Sequence, residues 1–380
     1  MSEFEIAPFH VMDILARCKQ MEAQGRDVIH MEIGEPDFDT PNTITQFGID
    51  ALNSNLTHYT SAQGLMELRE AICHYYQEKF SVNINSEHIL VTPGASGALQ
   101  LILSYLMQGR QTLMISDPAY PCNRNVVRLA GGKILAIPVN EESQFQLNAD
   151  LIAENWNDDV VAVLVASPSN PTGTVCPKHE LLEMAEFLDK KKCYLIVDEI
   201  YQGLIYDYES ETVAGLKENI IVLNSFSKYF GMTGWRAGWL IAPCHMIERL
   251  DAIAQNTYLA TSTIAQHAAL AAFLPETINE LERRRKIFKQ RRDILCQSLL
   301  EMGINVPVVP QGAFYVYADI SKYSQDSFKF CRELLEDQAV AITPGCDFGE
   351  YQANKYVRFA YTTSEDRINQ GLQRIEKFLD

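Results

Sequence analysis

The sequence predicts an α/β protein, with a mainly parallel sheet covered by helices on both faces and a smaller α+β region after it. Three observations lead there. From about residue 88 to 242, apolar runs of strand length alternate with helical patterns, as parallel strands joined by crossover helices do. Beyond about residue 276, strands and helices follow one another without that alternation, as in an α+β unit. At 380 residues and 47% hydrophobic composition, the chain is large enough to build two domains.

Residues 34–41, rich in Glu, Pro and Asp, read as a loop able to pack beside either domain. Ile89–Val91 is the first strand, leading into Thr92-Pro93-Gly94-Ala95-Ser96-Gly97 and a helix over about 95–107. Small residues at a helix start let backbone N–H groups approach an anion, aided by the helix dipole, although an ordinary capped turn has the same look. The pattern is neither a dinucleotide fingerprint nor a P-loop, and Ala98 excludes a Gly-x-Ser-x-Gly elbow. Thr112–Ile115 ends at Ser116-Asp117-Pro118-Ala119-Tyr120, before a helix over about 122–130. Tyr120 either stacks on a flat heterocycle or packs the turn. Val160–Ala166 ends at Ser167-Pro168-Ser169-Asn170-Pro171-Thr172-Gly173, whose prolines and glycine fix the turn and hold Asn170 in one orientation. A structural asparagine turn is the alternative there.

A helix over about 178–190 precedes the strand Tyr194–Val197, which ends at Asp198-Glu199-Ile200-Tyr201. Asp198 either caps the next segment or faces a pyridine nitrogen, where it would keep that nitrogen protonated and the ring a strong electron sink. Tyr201 could then donate to the ring's phenolic oxygen. The strand Ile220–Leu223 opens onto Ser225-Phe226-Ser227-Lys228-Tyr229-Phe230-Gly231-Met232-Thr233-Gly234-Trp235-Arg236, and Gly238–Ala242 is the next strand. Two hydroxyls, a lysine and an arginine thus gather on a turn at a strand's carboxyl end, where open α/β sheets bind ligands. A lysine there can form a Schiff base with an aldehyde, and an arginine beside hydroxyls suits a phosphate dianion. One ligand carrying both groups is pyridoxal 5'-phosphate (PLP).

A long helix over about 276–302 stops near Gly303, followed by strands Ala313–Ala318 and Tyr356–Tyr361 and helices over about 326–337 and 364–379. The basic cluster Arg283-Arg284-Arg285-Lys286, with Lys289, Arg291 and Arg292, is interleaved with Leu281, Ile287, Ile294 and Leu295 and reads as a solvated helix face. A net charge of −17 argues against a nucleic-acid partner. Nine scattered cysteines without a Cys-x-x-Cys pair argue against a disulfide framework and a zinc knuckle, and fit a reducing cytoplasm, and no metal is expected. The first residues lack the pattern of a signal peptide, and the longest clean apolar run, Val160–Ala166, is too short to span a membrane.

With these residues in hand, the chain resembles the class I and II aminotransferases, fold type I PLP enzymes of the aspartate aminotransferase superfamily. The likeness runs from Gly34 to the end, and residues 225–236 match the family's Schiff-base signature: Ser-x-Ser-Lys, then arginine eight residues after the lysine. The resemblance implies a seven-stranded large domain over residues 41–280, a small domain over 281–380, and a segment 1–40 packing with the small domain. By the same resemblance Lys228 forms the internal aldimine. Ser225 and Arg236 bind the cofactor phosphate with backbone around Ala95 and Ser96. Tyr120 stacks on the ring, Asn170 and Tyr201 meet its phenolic oxygen, and Asp198 pairs with its nitrogen. Arg358, in Tyr356-Val357-Arg358-Phe359-Ala360-Tyr361, matches the arginine that clamps the substrate α-carboxylate by its fork of donors. Gly34 matches a loop that helps hold that carboxylate. Tyr59 matches a tyrosine reaching the neighbouring subunit's phosphate, which implies a homodimer with shared active sites. Where aspartate-preferring prokaryotic relatives often carry Gly-Gly-Lys, this chain has Gly94-Ala95-Ser96, which weakens the case for aspartate.

The expected reaction is ping-pong transfer of an amino group from an L-amino acid to a 2-oxo acid, with Lys228 as the proton carrier. Two rivals remain: a PLP-dependent C–S β-lyase, separable by pyruvate release without an acceptor, and a non-catalytic PLP-fold sensor. The sensor reading is disfavoured by the acidic charge and by the lack of room before Gly34 for a DNA-binding domain.

Overall fold

The computed structural model describes residues 10–109 and 111–380. Its strands in chain order are β1 (Ile29–His30), β2 (Ile89–Thr92), β3 (Thr112–Asp117), β4 (Lys133–Pro138), β5 (Val160–Ala166) and β6 (Tyr194–Asp198). They continue with β7 (Ile220–Ser225), β8 (Gly238–Ile241), β9 (Tyr315–Asp319), β10 (Val340–Ala341), β11 (Thr343–Pro344) and β12 (Tyr356–Ala360).

Seven of them form one sheet in the order β2-β8-β7-β6-β5-β3-β4. Only β8 runs against its neighbours, and the remaining pairs are parallel. The near-continuous apolar runs follow from helices on both faces. In β7, Ile220 and Val222 enter one core and Ile221 and Leu223 the other, because successive side chains point to opposite sides. Each such buried side chain stabilises the fold by about 1.5–3 kcal/mol, so a charge at Val222 would break the sheet's centre. The parallel arrangement collects the carboxyl ends of β3, β5, β6 and β7 along one edge, and the site lies there.

A second, three-stranded sheet has the order β11-β12-β9, both pairs antiparallel. β1 pairs in parallel with β10, Ile29 opposite Val340 and His30 opposite Ala341. The stretch after β1 therefore leaves the carboxyl-terminal half of the chain and crosses towards the large sheet. Phe38 and Asp39 of that stretch meet the helix Pro275–Glu301, whose Arg284 donates to the carbonyl of Asp39 at 2.6 Å and stacks over the Phe38 ring at 5.1 Å.

Two expectations change. The strand expected from Ala313 begins at Tyr315, because Ala313 takes a left-handed turn at φ 59° and donates its N–H to Leu204 instead of a strand neighbour. The basic cluster is not one solvated face either. Arg291 and Arg292 are each 5% exposed. Arg291 forks onto Asp37 at 2.7 and 2.9 Å, and Arg292 bridges Asp207, Asp293 and the Pro310 carbonyl. The carboxylates that neutralise them lie mostly on distant loops, which helical spacing does not reveal.

Candidate active site

Eleven of the twelve residues singled out above line one cavity of ≈ 600 Å³ at the carboxyl edge of the large sheet: Gly34, Ala95, Ser96, Tyr120, Asn170, Asp198, Tyr201, Ser225, Lys228, Arg236 and Arg358. Tyr59 stands apart, 82% exposed and outside the lining.

The helix Gly94–Leu106 points its start into the cavity, and no side chain caps it, so its first N–H groups are available to an anion. Arg236 lies against it. A Cβ added at Gly94, whose φ is +73°, would collide with Nη2 of Arg236, so glycine at 94 leaves room for the guanidinium in its present position at the helix start. Arg236 Nη1 donates to Ser227 Oγ at 3.2 Å and to the Thr233 carbonyl at 3.0 Å. Ser225 Oγ donates to Ser227 Oγ at 2.9 Å. Two hydroxyls, a guanidinium and an uncapped helix start thus form an anion cradle.

Beside it, the Lys228 ammonium donates to the carbonyl of Gly34 at 2.7 Å. Burial pulls its pKa down to about 8, and the like charges of Arg358 and Arg236 add to the effect while Glu35 opposes it. Gly34 has no room for a side chain, since a Cβ would run into the Tyr315 hydroxyl. Asp198 ends β6 with one oxygen accepting from the Ile200 amide at 3.1 Å. Burial outweighs that bond and lifts its carboxyl to about 6, as expected for an acid that lacks a cationic partner.

Arg358 of β12 is 5% exposed. Nη1 donates to Asn170 Oδ1 at 3.0 Å, and Nη2 donates to Thr343 Oγ1 at 3.2 Å and to the Glu32 carbonyl. Its Cζ lies 4.3 Å from the Tyr315 ring centre and 4.8 Å from that of Phe348, while Nε has no partner. Because Asn170 spends its oxygen on Arg358, its amide N–H groups remain as donors. Tyr201 shares a 2.9 Å hydrogen bond with Tyr315, and burial raises both phenols' pKa.

Thr233, Glu35 and Tyr315 carry no assignment from the sequence, and they line the cavity together with Ser227, the second hydroxyl of the turn. Ser227 and Thr233 sat in the quoted signature and were legible from it. Tyr315 was hidden within an apolar run. Val11, Met12 and Leu15 of the first helix (His10–Ala23) also line the cavity and carried no signal.

An amine of lowered basicity, an acid and a phosphate-sized cradle in one cavity fit pyridoxal phosphate, and with the doubly wound sheet they place the protein among the fold type I PLP enzymes. Residues 26–375 match the family described as aminotransferase class I and II. The chain is 38% identical over 377 residues to a (5-formylfuran-3-yl)methyl phosphate transaminase of Methanocaldococcus jannaschii, covering 98% of this chain and 97% of the relative. It is 34% identical to a valine–pyruvate aminotransferase of Mycobacterium tuberculosis, with the same coverage. In structure it matches a Mycobacterium tuberculosis aminotransferase at a TM-score of 0.96 and 33% identity, over 100% of this chain and 98% of the other. An aspartate aminotransferase of Thermus thermophilus follows at 0.93 and 30%, over 98% and 97%. The chain belongs to the class I and II aminotransferases. It is a PLP-dependent transaminase.

Proposed function

We propose that this enzyme moves an amino group from an L-amino acid to a 2-oxo acid in two half-reactions, with Lys228 both holding the cofactor and carrying the proton. One observation carries the reading: the Lys228 amine, its pKa lowered to about 8, shares a cavity with Asp198 and with the fork of Arg358. When bound, pyridoxal phosphate supplies a conjugated ring that accepts the electron pair released at the substrate α-carbon.

The chain's own groups do the rest. Arg358 receives the α-carboxylate, and its fork is already oriented by Asn170, Thr343 and two aromatic rings. The Ser225, Ser227 and Arg236 cradle, with the helix start at Ala95 and Ser96, fixes the phosphate. Asp198 would hold a proton on the pyridine nitrogen, and that cation would offset the burial that raises the acid's pKa. Asn170 and Tyr201 donate to the phenolic oxygen, and Tyr120 covers the ring face. The Lys228 amine would serve as the base that takes and returns the substrate α-proton, a short transfer suited to a flexible side chain. Burial and the nearby guanidinium groups lower the basicity of this amine, which favours the free-base form that the step requires.

The proposal includes a homodimer in which exposed Tyr59 reaches the other subunit's cradle, and a cytoplasmic setting. The latter is supported by nine unpaired cysteines. No helix among the described residues is long and apolar enough to cross a membrane. Lys228→Ala tests the reading. It is expected to abolish the absorbance of covalently held cofactor and to lower transamination by orders of magnitude, and full activity in that variant would overturn it.

A further inference from the structure

We propose that Cys18, His30 and Glu32 form a binding site for a divalent cation of the zinc class, set behind the arginine that faces the cavity. The site goes beyond the transamination reading and does not depend on it. Each of the three residues offers one ligand atom, and those atoms lie within 4.8 Å of one another. Local geometry brings them together. Cys18 and Glu22 are four residues apart on the helix His10–Ala23 and share one face of it. His30 ends β1, and Glu32, two residues on, turns its carboxylate to the same side, with His30 Nδ1 lying 2.7 Å from Glu32 Oε1. Cys18 and Glu32 are each 0% exposed, and the His30 ring is partly exposed.

Two observations point to a cation rather than to a packed ion pair. His30 serves only one oxygen of Glu32, and the other, Oε2, is buried with no partner. A buried carboxylate oxygen left unsatisfied is rare, and a bound ion is one of its ordinary explanations. The far nitrogen of His30, Nε2, lies 3.1 Å from Glu22 Oε1. Metal-bound histidines are oriented in this way, their other N–H donated to a carboxylate, and Nδ1 is then left to face the ion. Donors on one zinc stand roughly 3.3–3.7 Å apart, given bonds of about 2.0–2.3 Å, so small rotations of three side chains close the site. One thiolate and one carboxylate balance a dication, leaving no net charge buried. Thiolate and imidazole favour zinc over magnesium or calcium, and water takes the fourth position. Burial, then the charges of Glu32 and Glu22, push the Cys18 thiol up to about 12. A cation reverses that balance, because a coordinating thiol is deprotonated outright. No short motif announces the site, because its ligands come from a helix and a strand, and cysteine spacing therefore carried no metal signal. The carbonyl of Glu32 accepts from Arg358 and from Thr343 Oγ1, so the ion pins to the first helix the residue that supports this arginine.

The experiment titrates untagged holoenzyme, freed of metal by chelation, with zinc chloride in a calorimeter. One ion per chain is expected, with a Kd of about 1 µM or tighter. Cobalt chloride in its place is expected to give the visible bands of a tetrahedral ion with a thiolate ligand. Saturating zinc is expected to raise the thermal midpoint by about 2 °C or more. Glu22→Gln is expected to weaken zinc binding about 10-fold, and Cys18→Ala and His30→Gln about 100-fold or more. The His30 variant alters a partly exposed ring, so a folding failure of Cys18→Ala leaves the test intact. Cys244→Ser is the control, since exposed Cys244 has its Sγ 3.2 Å from His88 Nε2 and offers a second thiol–imidazole pair; it is expected to change nothing. Absence of micromolar binding would overturn the site, and so would binding that survives His30→Gln or vanishes with Cys244→Ser. None of these results bears on transamination, which Lys228→Ala tests separately.

Discussion

Gly94→Ala separates the cradle's two physical demands. The backbone at residue 94 has φ +73°, which an alanine adopts at a cost of about 1–2 kcal/mol. That strain is present with or without cofactor, so it lowers the thermal midpoint and leaves affinity alone. The new Cβ also lies 3.0 Å from Cζ of Arg236 and closer still to Nη2, so the guanidinium must move away from the helix start. Losing one charge-assisted hydrogen bond to the phosphate is worth about 1.5–3 kcal/mol, which is roughly a 10- to 150-fold rise in the cofactor's Kd. The assay is spectroscopic titration of the cofactor-free protein with pyridoxal phosphate, paired with calorimetric melting. Gly234→Ala is the control, because its Cβ would meet open space and should move neither readout. A Kd within twofold of the parent, alongside a lowered midpoint, would refute the idea that Arg236 and the helix start act on one anion.

Three further variants test the rest of the site. Asp198→Asn should lower transamination by orders of magnitude yet raise the midpoint of the cofactor-free protein at neutral pH. The Asp198 carboxyl is raised from 3.8 to about 6, so its contribution to stability is full below 3.8 and lost as pH rises through 6. Melting measured across pH 4 to 7 should show the variant escaping that loss, and parallel curves would refute the assignment. Arg358→Lys should cut kcat/KM by roughly 30-fold or more, the cost of truncating a buried, hydrogen-bonded charge partner, mainly through KM for the donor. Steady-state kinetics with intact cofactor absorbance checks it. Tyr59→Phe should weaken cofactor binding about tenfold or more, the scale of one hydrogen bond to a charged group, without changing the subunit count by light scattering. An unchanged Kd would remove Tyr59 from the shared site.

The centre of the fold was legible because buried parallel strands read as uniform apolar runs, and the polar residue that ends each one is where the site stands. Asn170, Asp198 and Ser225 were visible on that ground alone. Three kinds of element were not. β4 is an edge strand with only Ile137 fully buried, so its pattern is weak. The helix Met66–Phe80 mixes charge into its packed face, where Arg69 is 6% exposed and donates to the Ser86 carbonyl at 3.0 Å. The helix Thr263–Leu270 is too rich in alanine to show a clear apolar stripe. At the site, what escaped was whatever arrives from far along the chain: Tyr315 beneath Arg358, and the wall from the first helix. Such contacts belong to tertiary packing, and no local spacing encodes them.

The carbonyls of Glu32 and Gly34 receive Arg358 and Lys228, and β1 has its partner at residues 340–341. During synthesis, then, the segment at residues 29–30 must wait for residues 340–341, far along the chain, before it can pair. The large sheet, complete by Ile241, has all its strands available well before that. Competence for catalysis is thus a late event of biogenesis, and a nascent chain stalled before β12 would hold its lysine without the arginine meant to face it.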